Sequence, residues 1–225
     1  MAGMKLLYQT HSPYARKTLV FAHEVGLADR IEVIHHETSP TVRNEAVFAQ
    51  NPLGKVPVLM REGGLPPLFD SDVICAYLDT LHSGPPLIPA AGEGRWHALR
   101  VQAIAQGLAD AGIAYRWETV RRPHELRYAS LADGYRTKLE ESYDWLEREL
   151  DFDVGLDVAG NEGGGEDDVA PVHVGHIAVA TALSWLEFRE LPTFRQRAQR
   201  LSAWLDDFSR RPSMKATPLS GQTHD

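Results

Sequence analysis

At Ser83-Gly84-Pro85-Pro86 the chain changes character, and that change constrains its folding more than any other feature. Before it, short strand-like apolar runs alternate with helical periodicity; after it, every apolar pattern steps by three or four. The stretch 84–94 is rich in proline and glycine and reads as a linker. The sequence therefore predicts a mixed α/β unit over 1–83, a linker over 84–94 and an all-helical unit over 95–225. A chain of 225 residues is long enough for two ordinary domains.

In the first part, Lys5–Tyr8 is a short strand that ends in the turn-prone Thr10-His11-Ser12-Pro13. From Pro13, whose missing N–H costs nothing in a first helical turn, Tyr14, Thr18, Phe21, Ala22 and Val25 recur at helical spacing, with Gly26 as the stop. Ile31–Ile34 is a second strand, completing a βαβ unit. Val56–Met60 and Leu68-Phe69 flank Arg61-Glu62-Gly63-Gly64, which predicts a hairpin. Ser71 is positioned to cap a helix bearing Val73, Ile74, Tyr77, Leu78 and Leu81. The order βαβ-α-ββα is that of a small mixed sheet.

In the second part, Trp96–Arg122 is a long helix stopped near Pro123. Tyr135, Leu139, Tyr143, Leu146 and Leu150 form one amphipathic stripe, and Phe194, Ala198, Leu201, Leu205 and Phe208 another. Ile177–Leu186 carries no charge and should be buried on most sides. Asp151–Val172 reads as a flexible acidic loop.

Net charge of −8 gives no support to a nucleic-acid or anionic-membrane partner. No window approaches the roughly 18 apolar residues of a membrane span, and polar Gln9, Thr10 and His11 cut short the N-terminal apolar run that a signal peptide would need. Cys75 is the only cysteine, which excludes an intrachain disulfide and a CxxC redox pair. A reducing cytoplasm is the simplest location.

Three short stretches carry chemistry. Ser12-Pro13-Tyr14-Ala15-Arg16-Lys17 opens a helix, and the unpaired N–H groups and partial positive charge there favour an anion, to which a hydroxyl at the turn can add a hydrogen bond. Ser12 is the best placed hydroxyl and Thr10 the next; the plainer alternative is that Ser12 is only an N-cap. Asn51–Leu59 places Pro57 inside a strand-like run, where it cannot donate to the ladder and so belongs at a strand start or edge. Leu68–Ile74 brings Asp70-Ser71 to a strand-to-helix turn, where an ordinary cap again competes with ligand binding.

Taken in this order, the three stretches resemble the glutathione transferases, and Arg95–Arg100, Ala105–Ala111 and Ala178–Arg189 extend the likeness over nearly the whole chain. The resemblance implies a thioredoxin-like domain followed by an all-helical bundle. It also implies a cis bond before Pro57, which exposes the N–H and C=O of Val56 for pairing with an extended tripeptide. It further implies glutathione as cosubstrate: Ser12, or failing it Thr10, facing the sulfur; Lys55 on the glycyl carboxylate; Ser71 on the γ-glutamyl carboxylate; and Asp70 on its ammonium. A homodimer follows, with Asp110 reaching across to the γ-glutamyl amine. His11, Tyr14, Tyr115, Trp117 and Arg121 are candidates for the acceptor pocket, although aromatic residues at helical spacing are more often core.

Where many members start the buried helix with a Ser/Thr-x-x-Asp box, this chain has His173 and His176. Two histidines three apart share a helix face, but no further ligands cluster with them; a ring nitrogen accepting an N–H is the better reading than a metal. His35-His36 read as a strand-end pair and His11 as a pocket-edge residue. Two functional readings follow. The first is an enzyme that activates the glutathione thiolate against a hydrophobic electrophile. The second is a non-catalytic glutathione-binding or protein-interaction module on the same fold. Glutathione-dependent thiol reduction fits less well, because it usually wants a cysteine where Ser12 stands.

Overall fold

The computed structural model describes residues 3–150 and 172–222, so the expected acidic loop lies, apart from Val172, outside the described residues. The chain forms two compact units, one from the N-terminus to Pro85 together with the segment from Arg211 onward, the other Pro86–Arg210.

The first unit holds a three-stranded mixed sheet in the order β2-β1-β3. Strand β1 (Met4–Tyr8) runs parallel to β2 (Ile31–His35) and antiparallel to β3 (Val58–Met60). Helix α1 (Pro13–Glu24) makes the crossover that two parallel strands require. It stops as its sequence predicts: Val25 closes the last turn and Gly26 follows at φ +69°, a conformation that favours glycine. Helix α2 (Glu45–Phe48) is a single turn capped by Asn44. The expected hairpin survives only as one bridge between Leu59 and Leu68, with N–H···O distances of 2.9 Å in both directions. Pro66 and Pro67 have no N–H to extend it. Helix α3 (Ser71–Leu78) turns Ile74, Cys75 and Leu78 inward and leaves Val73 exposed. The core collects Leu6, Leu7, Val20, Phe21, Val58, Leu59 and Ile74.

The segment from Arg211, assigned from its pattern to the helical unit, belongs instead to the first unit. Arg211 donates through Nε and Nη2 to both carboxylate oxygens of Glu24 at 2.9 and 2.7 Å, and Ser213 donates to the same carboxylate. Such a forked, partly buried pair is the kind that fixes geometry.

Among the described residues the second unit holds helices joined by turns, and no strand. Helix α4 (Gly92–Arg116) ends in a π-type turn, Trp117–Arg121, closed by the Arg122 N–H on the Trp117 carbonyl at 2.9 Å, just before Pro123. Helix α5 (Ala129–Glu149) buries Leu139, Tyr143 and Leu146, and Leu150 is buried just past its end. Helix α6 (Val174–Phe188) is buried along Ile177–Leu183, as its lack of charge requires. Helix α7 covers only Gln199–Phe208; Phe194 and Ala198 are buried but stand in the turns before it, so the expected stripe is helical for its last three members alone. A one-turn helix α8 (Pro212–Lys215) opens the segment that returns to the first unit. No described helix is long and apolar enough to cross a membrane.

Helices α4 and α6 approach through glycines. A Cβ on Gly175 would meet the Ala98 carbonyl oxygen and the Val101 Cβ at 2.8 Å, and one on Gly112 would meet Leu186 at 2.5 Å. The start of α6 is capped as the sequence suggests. His173 Nδ1 accepts the Gly175 N–H at 3.0 Å, and His176 Nδ1 accepts the His173 N–H at 3.3 Å, the rings stacking at 3.7 Å. The box that serine and aspartate make elsewhere is made here by two ring nitrogens.

Candidate active site

Register brings the three chemical stretches to one end of the sheet. Leu7 pairs with Val58, so the next residue of β1, Tyr8, comes level with Pro57. Leu68 pairs with Leu59, and two residues further on that segment Asp70 also comes level with Pro57. The same end receives the exit of β2 at His35, because β1 and β2 are parallel. Ligands of α/β folds bind at such carboxyl ends, where connections diverge.

The connection from β1 to α1 is a turn closed by the Ser12 N–H on the Gln9 carbonyl at 3.0 Å. Gln9 Nε2 donates to Glu37 at 2.7 Å and Thr38 Oγ1 donates back to Gln9 Oε1 at 3.0 Å. His11 is buried with Nε2 3.7 Å from the Glu37 carboxylate. Ser12 is the N-cap of α1, its Oγ accepting the Ala15 N–H at 3.2 Å. Capping uses a lone pair only; the O–H proton of the same group can still be donated to an anion at the helix end. Thr10 differs: its hydroxyl donates to the Ser220 carbonyl at 2.9 Å.

The Val56–Pro57 peptide is cis. Among the described residues, no hydrogen bond reaches the N–H or the C=O of Val56. An extended chain laid beside it finds one donor and one acceptor. Lys55 is exposed and joins no ion pair among the described residues, while its carbonyl accepts from Asn51 Nδ2 at 2.9 Å.

At α3 the cap is Asp70 and not Ser71. Asp70 Oδ1 accepts the N–H groups of Asp72 and Val73 at 3.1 and 3.5 Å, and Ser71 is the first helical residue. The consequence is specific: the Ser71 hydroxyl is fully buried and has no hydrogen-bond partner among the described residues. Buried hydroxyls are rarely left so, and this one lies at a helix N-terminus, where an anion would complete it. Asp72 is not simply a complement to the dipole; it pairs with the buried Lys17 of α1 and so ties α1 to α3. Cys75 is buried beneath, its thiol pushed up to about 12 by burial against the opposing pull of Lys17, which keeps it protonated and unreactive.

Tyr14 is half-exposed on α1. Tyr115, Trp117 and Arg121 belong to the helical unit: the Tyr115 hydroxyl accepts from Arg136 at 2.9 Å, and the Arg121 guanidinium lies 3.9 Å over the Trp117 ring. Asp110 is exposed on α4. No group of three or more His, Cys, Asp or Glu side chains suited to a metal occurs among the described residues. Sequence reasoning missed Gln9, Glu37, Thr38 and the Ser220 tail; their separations of 28 to 210 residues follow no local pattern.

A mixed sheet with a cis-proline edge, and two helix N-termini at one end of it, defines a thioredoxin-like domain, here followed by a helical unit. Residues 11–81 match the family model for the glutathione S-transferase N-terminal domain. The GST-like protein YibF of Escherichia coli K12 is 30% identical over 189 residues, 84% of each chain. A glutathione transferase family member from Pseudomonas fluorescens Pf-5, solved with bound glutathione, is 34% identical with a TM-score of 0.83, over 97% of this chain and 100% of that one. A Pf-5 family member was also solved with bound S-(propanoic acid)-glutathione. A glutathione S-transferase from Methylobacillus flagellatus KT, with GSH bound, is 31% identical with a TM-score of 0.78, again over 97% and 100%. The chain belongs to the glutathione S-transferase superfamily.

Proposed function

We propose that this protein is a glutathione transferase. It binds glutathione as an added strand along Val56 and presents its sulfur, as thiolate, to a hydrophobic electrophile. The observation that carries the reading is the Ser71 hydroxyl, fully buried at the start of α3 and unpartnered because Asp70 has taken the cap. A γ-glutamyl carboxylate there gains a charge-assisted hydrogen bond. Asp70 keeps its second carboxylate oxygen for the ammonium, and the exposed Lys55 is suited to the glycyl carboxylate. The bound ligands of the Pseudomonas and Methylobacillus relatives support the same occupant.

Chemistry then falls to Ser12. Its Oγ accepts from the Ala15 N–H, its O–H donates a hydrogen bond to the sulfur, and the helix end adds its partial charge. The thiol proton passes to solvent, the thiolate lone pair forms a C–S bond, and the electrophile releases its leaving group. Serine, unlike cysteine, cannot form a mixed disulfide, and Cys75 is sealed in the core; both favour conjugation over thiol–disulfide exchange. In this reading the enzyme is a cytoplasmic homodimer and Asp110 serves the neighbouring subunit's site. The exposure of Asp110 is consistent with that role.

The test is calorimetric titration with glutathione, paired with assays for conjugation of halogenated arenes and isothiocyanates and for glutathione-dependent reduction of hydroperoxides. Binding with turnover of at least one class is the expected result. Absence of glutathione binding would overturn the proposal, and binding without turnover would leave a binding module.

A further inference from the structure

The segment from Arg211 runs the length of α1 and at Ser220 reaches the turn that carries Ser12. It is tied at three levels. At the far end, Arg211 and Ser213 hold Glu24, the last residue of α1. Midway, the buried Arg16 donates through Nη2 to the Met214 carbonyl at 3.2 Å and through Nε to Thr217 Oγ1 at 3.4 Å. At the near end, Thr10 and Ser220 exchange two hydrogen bonds, Thr10 Oγ1 to the Ser220 carbonyl at 2.9 Å and the Ser220 N–H to the Thr10 carbonyl at 3.2 Å. Gly221 follows so closely that a Cβ there would stand 3.4 Å from Thr10 Oγ1 and 3.5 Å from His11 Nδ1.

Thr10 and His11 are the two central residues of the turn that Ser12 closes on Gln9. The strand side of this turn is fixed by Gln9 on Glu37 and Thr38, His11 lies 3.7 Å from the same Glu37 carboxylate, and Thr10 is held by the tail. A donor must be held near 3 Å from the sulfur, because a small misplacement of a catalytic group costs much of its effect. Resting on the function proposed above, we infer that residues 217–221 form a positioning strap for the Ser12 hydroxyl, with Thr10 and Ser220 as its clasp. Thr10 is then a positioning residue whose hydroxyl never meets the sulfur. The strap keeps the turn in the geometry in which Ser12 can cap α1 and donate to the thiolate at once.

Two single substitutions in the full chain each remove one bond of the clasp. Thr10→Val keeps the β-branched shape and deletes the hydroxyl donor. Ser220→Pro deletes the N–H donor at an exposed position. The readout is the pH profile of kcat/KM for conjugation of a halogenated arene, with the KM for glutathione measured alongside. Each variant should move the acid limb upward by about half to one pH unit, as expected for a weakened bond to the thiolate, and change the glutathione KM by less than about twofold. Should Thr10→Val fail to fold, Ser220→Pro carries the test. A lowered melting temperature with the acid limb in place would mean that the clasp serves stability only, and would overturn the strap. If wild type conjugates and Ser12→Ala does not, yet both clasp variants keep the wild-type profile, the strap alone is lost. If wild type does not ionise bound glutathione at all, the functional reading fails and the strap falls with it.

Discussion

Asp70 caps helix α3 in place of Ser71, accepting the N–H groups of Asp72 and Val73 and leaving the buried Ser71 hydroxyl without a partner among the described residues. The two neighbours therefore divide the labour, one completing the helix and the other left for a ligand.

This division predicts opposite costs. Ser71→Ala should reduce glutathione affinity by about tenfold or more, the value of a hydrogen bond to a charged group, while the free protein keeps its melting temperature, since no bond is broken in the absence of ligand. Asp70→Ala should cost the free protein about 1 kcal/mol of stability through the lost cap and weaken binding as well. Calorimetric titration and thermal melts on both variants check this. Equal losses of stability in the two would contradict it.

Helix α6 makes a pH prediction. Both ring nitrogens of its cap act as acceptors, so His173 and His176 must be neutral at Nδ1. Burial, reinforced by His176 and His97, pushes His173 down to about 2. A histidine depressed in the folded state contributes stability that is fully present above its unfolded value near 6.5 and is lost as pH falls below it. Stability should therefore fall by about 1 kcal/mol per pH unit between pH 6 and 4 from this residue. Urea unfolding at several pH values measures it. The double variant His173→Ser, His176→Asp, which restores a serine–aspartate box, should flatten the slope.

Packing of α4 on α6 gives a third test. Gly175 faces the Ala98 carbonyl, which has little freedom to retreat, and Gly112 faces Leu186 and Trp185. Gly175→Ala should destabilise by about 1–3 kcal/mol through overpacking, despite the better helix propensity of alanine. Gly112→Ala should cost less, because side-chain ends can give way. Denaturant midpoints at pH 7 distinguish the two.

Legibility in the sequence followed the range of the interactions. Pro13 at the first turn of α1, Gly26 past its end and the uncharged run of α6 each declare themselves within a few residues, and the structure has them there. The histidine box was readable for the same reason, its two members lying three apart. The cap of α3 is not legible, because Asp70 and Ser71 are adjacent residues of equal capping chemistry and only the backbone decides which one precedes the first helical residue. The second hairpin arm was overestimated, since the flanking apolar residues masked the effect of Pro66 and Pro67. The packing of the tail on α1 leaves no local signal, because its anchors, Glu24, Arg16 and Thr10, lie 187 to 210 residues away. Likewise, no spacing rule pairs Gln9 with Glu37 or sets Ser71 at the same sheet end as Ser12.

The central claim is that Ser12 holds the glutathione sulfur as a thiolate. The direct measurement is the ultraviolet thiolate absorbance of bound glutathione, titrated with pH in wild type and in Ser12→Ala at saturating glutathione. The account predicts that the wild-type complex ionises about two pH units below free glutathione, and that Ser12→Ala binds glutathione but moves that midpoint at least about one unit back up. A Ser12→Ala complex that ionises at the wild-type pH would contradict it.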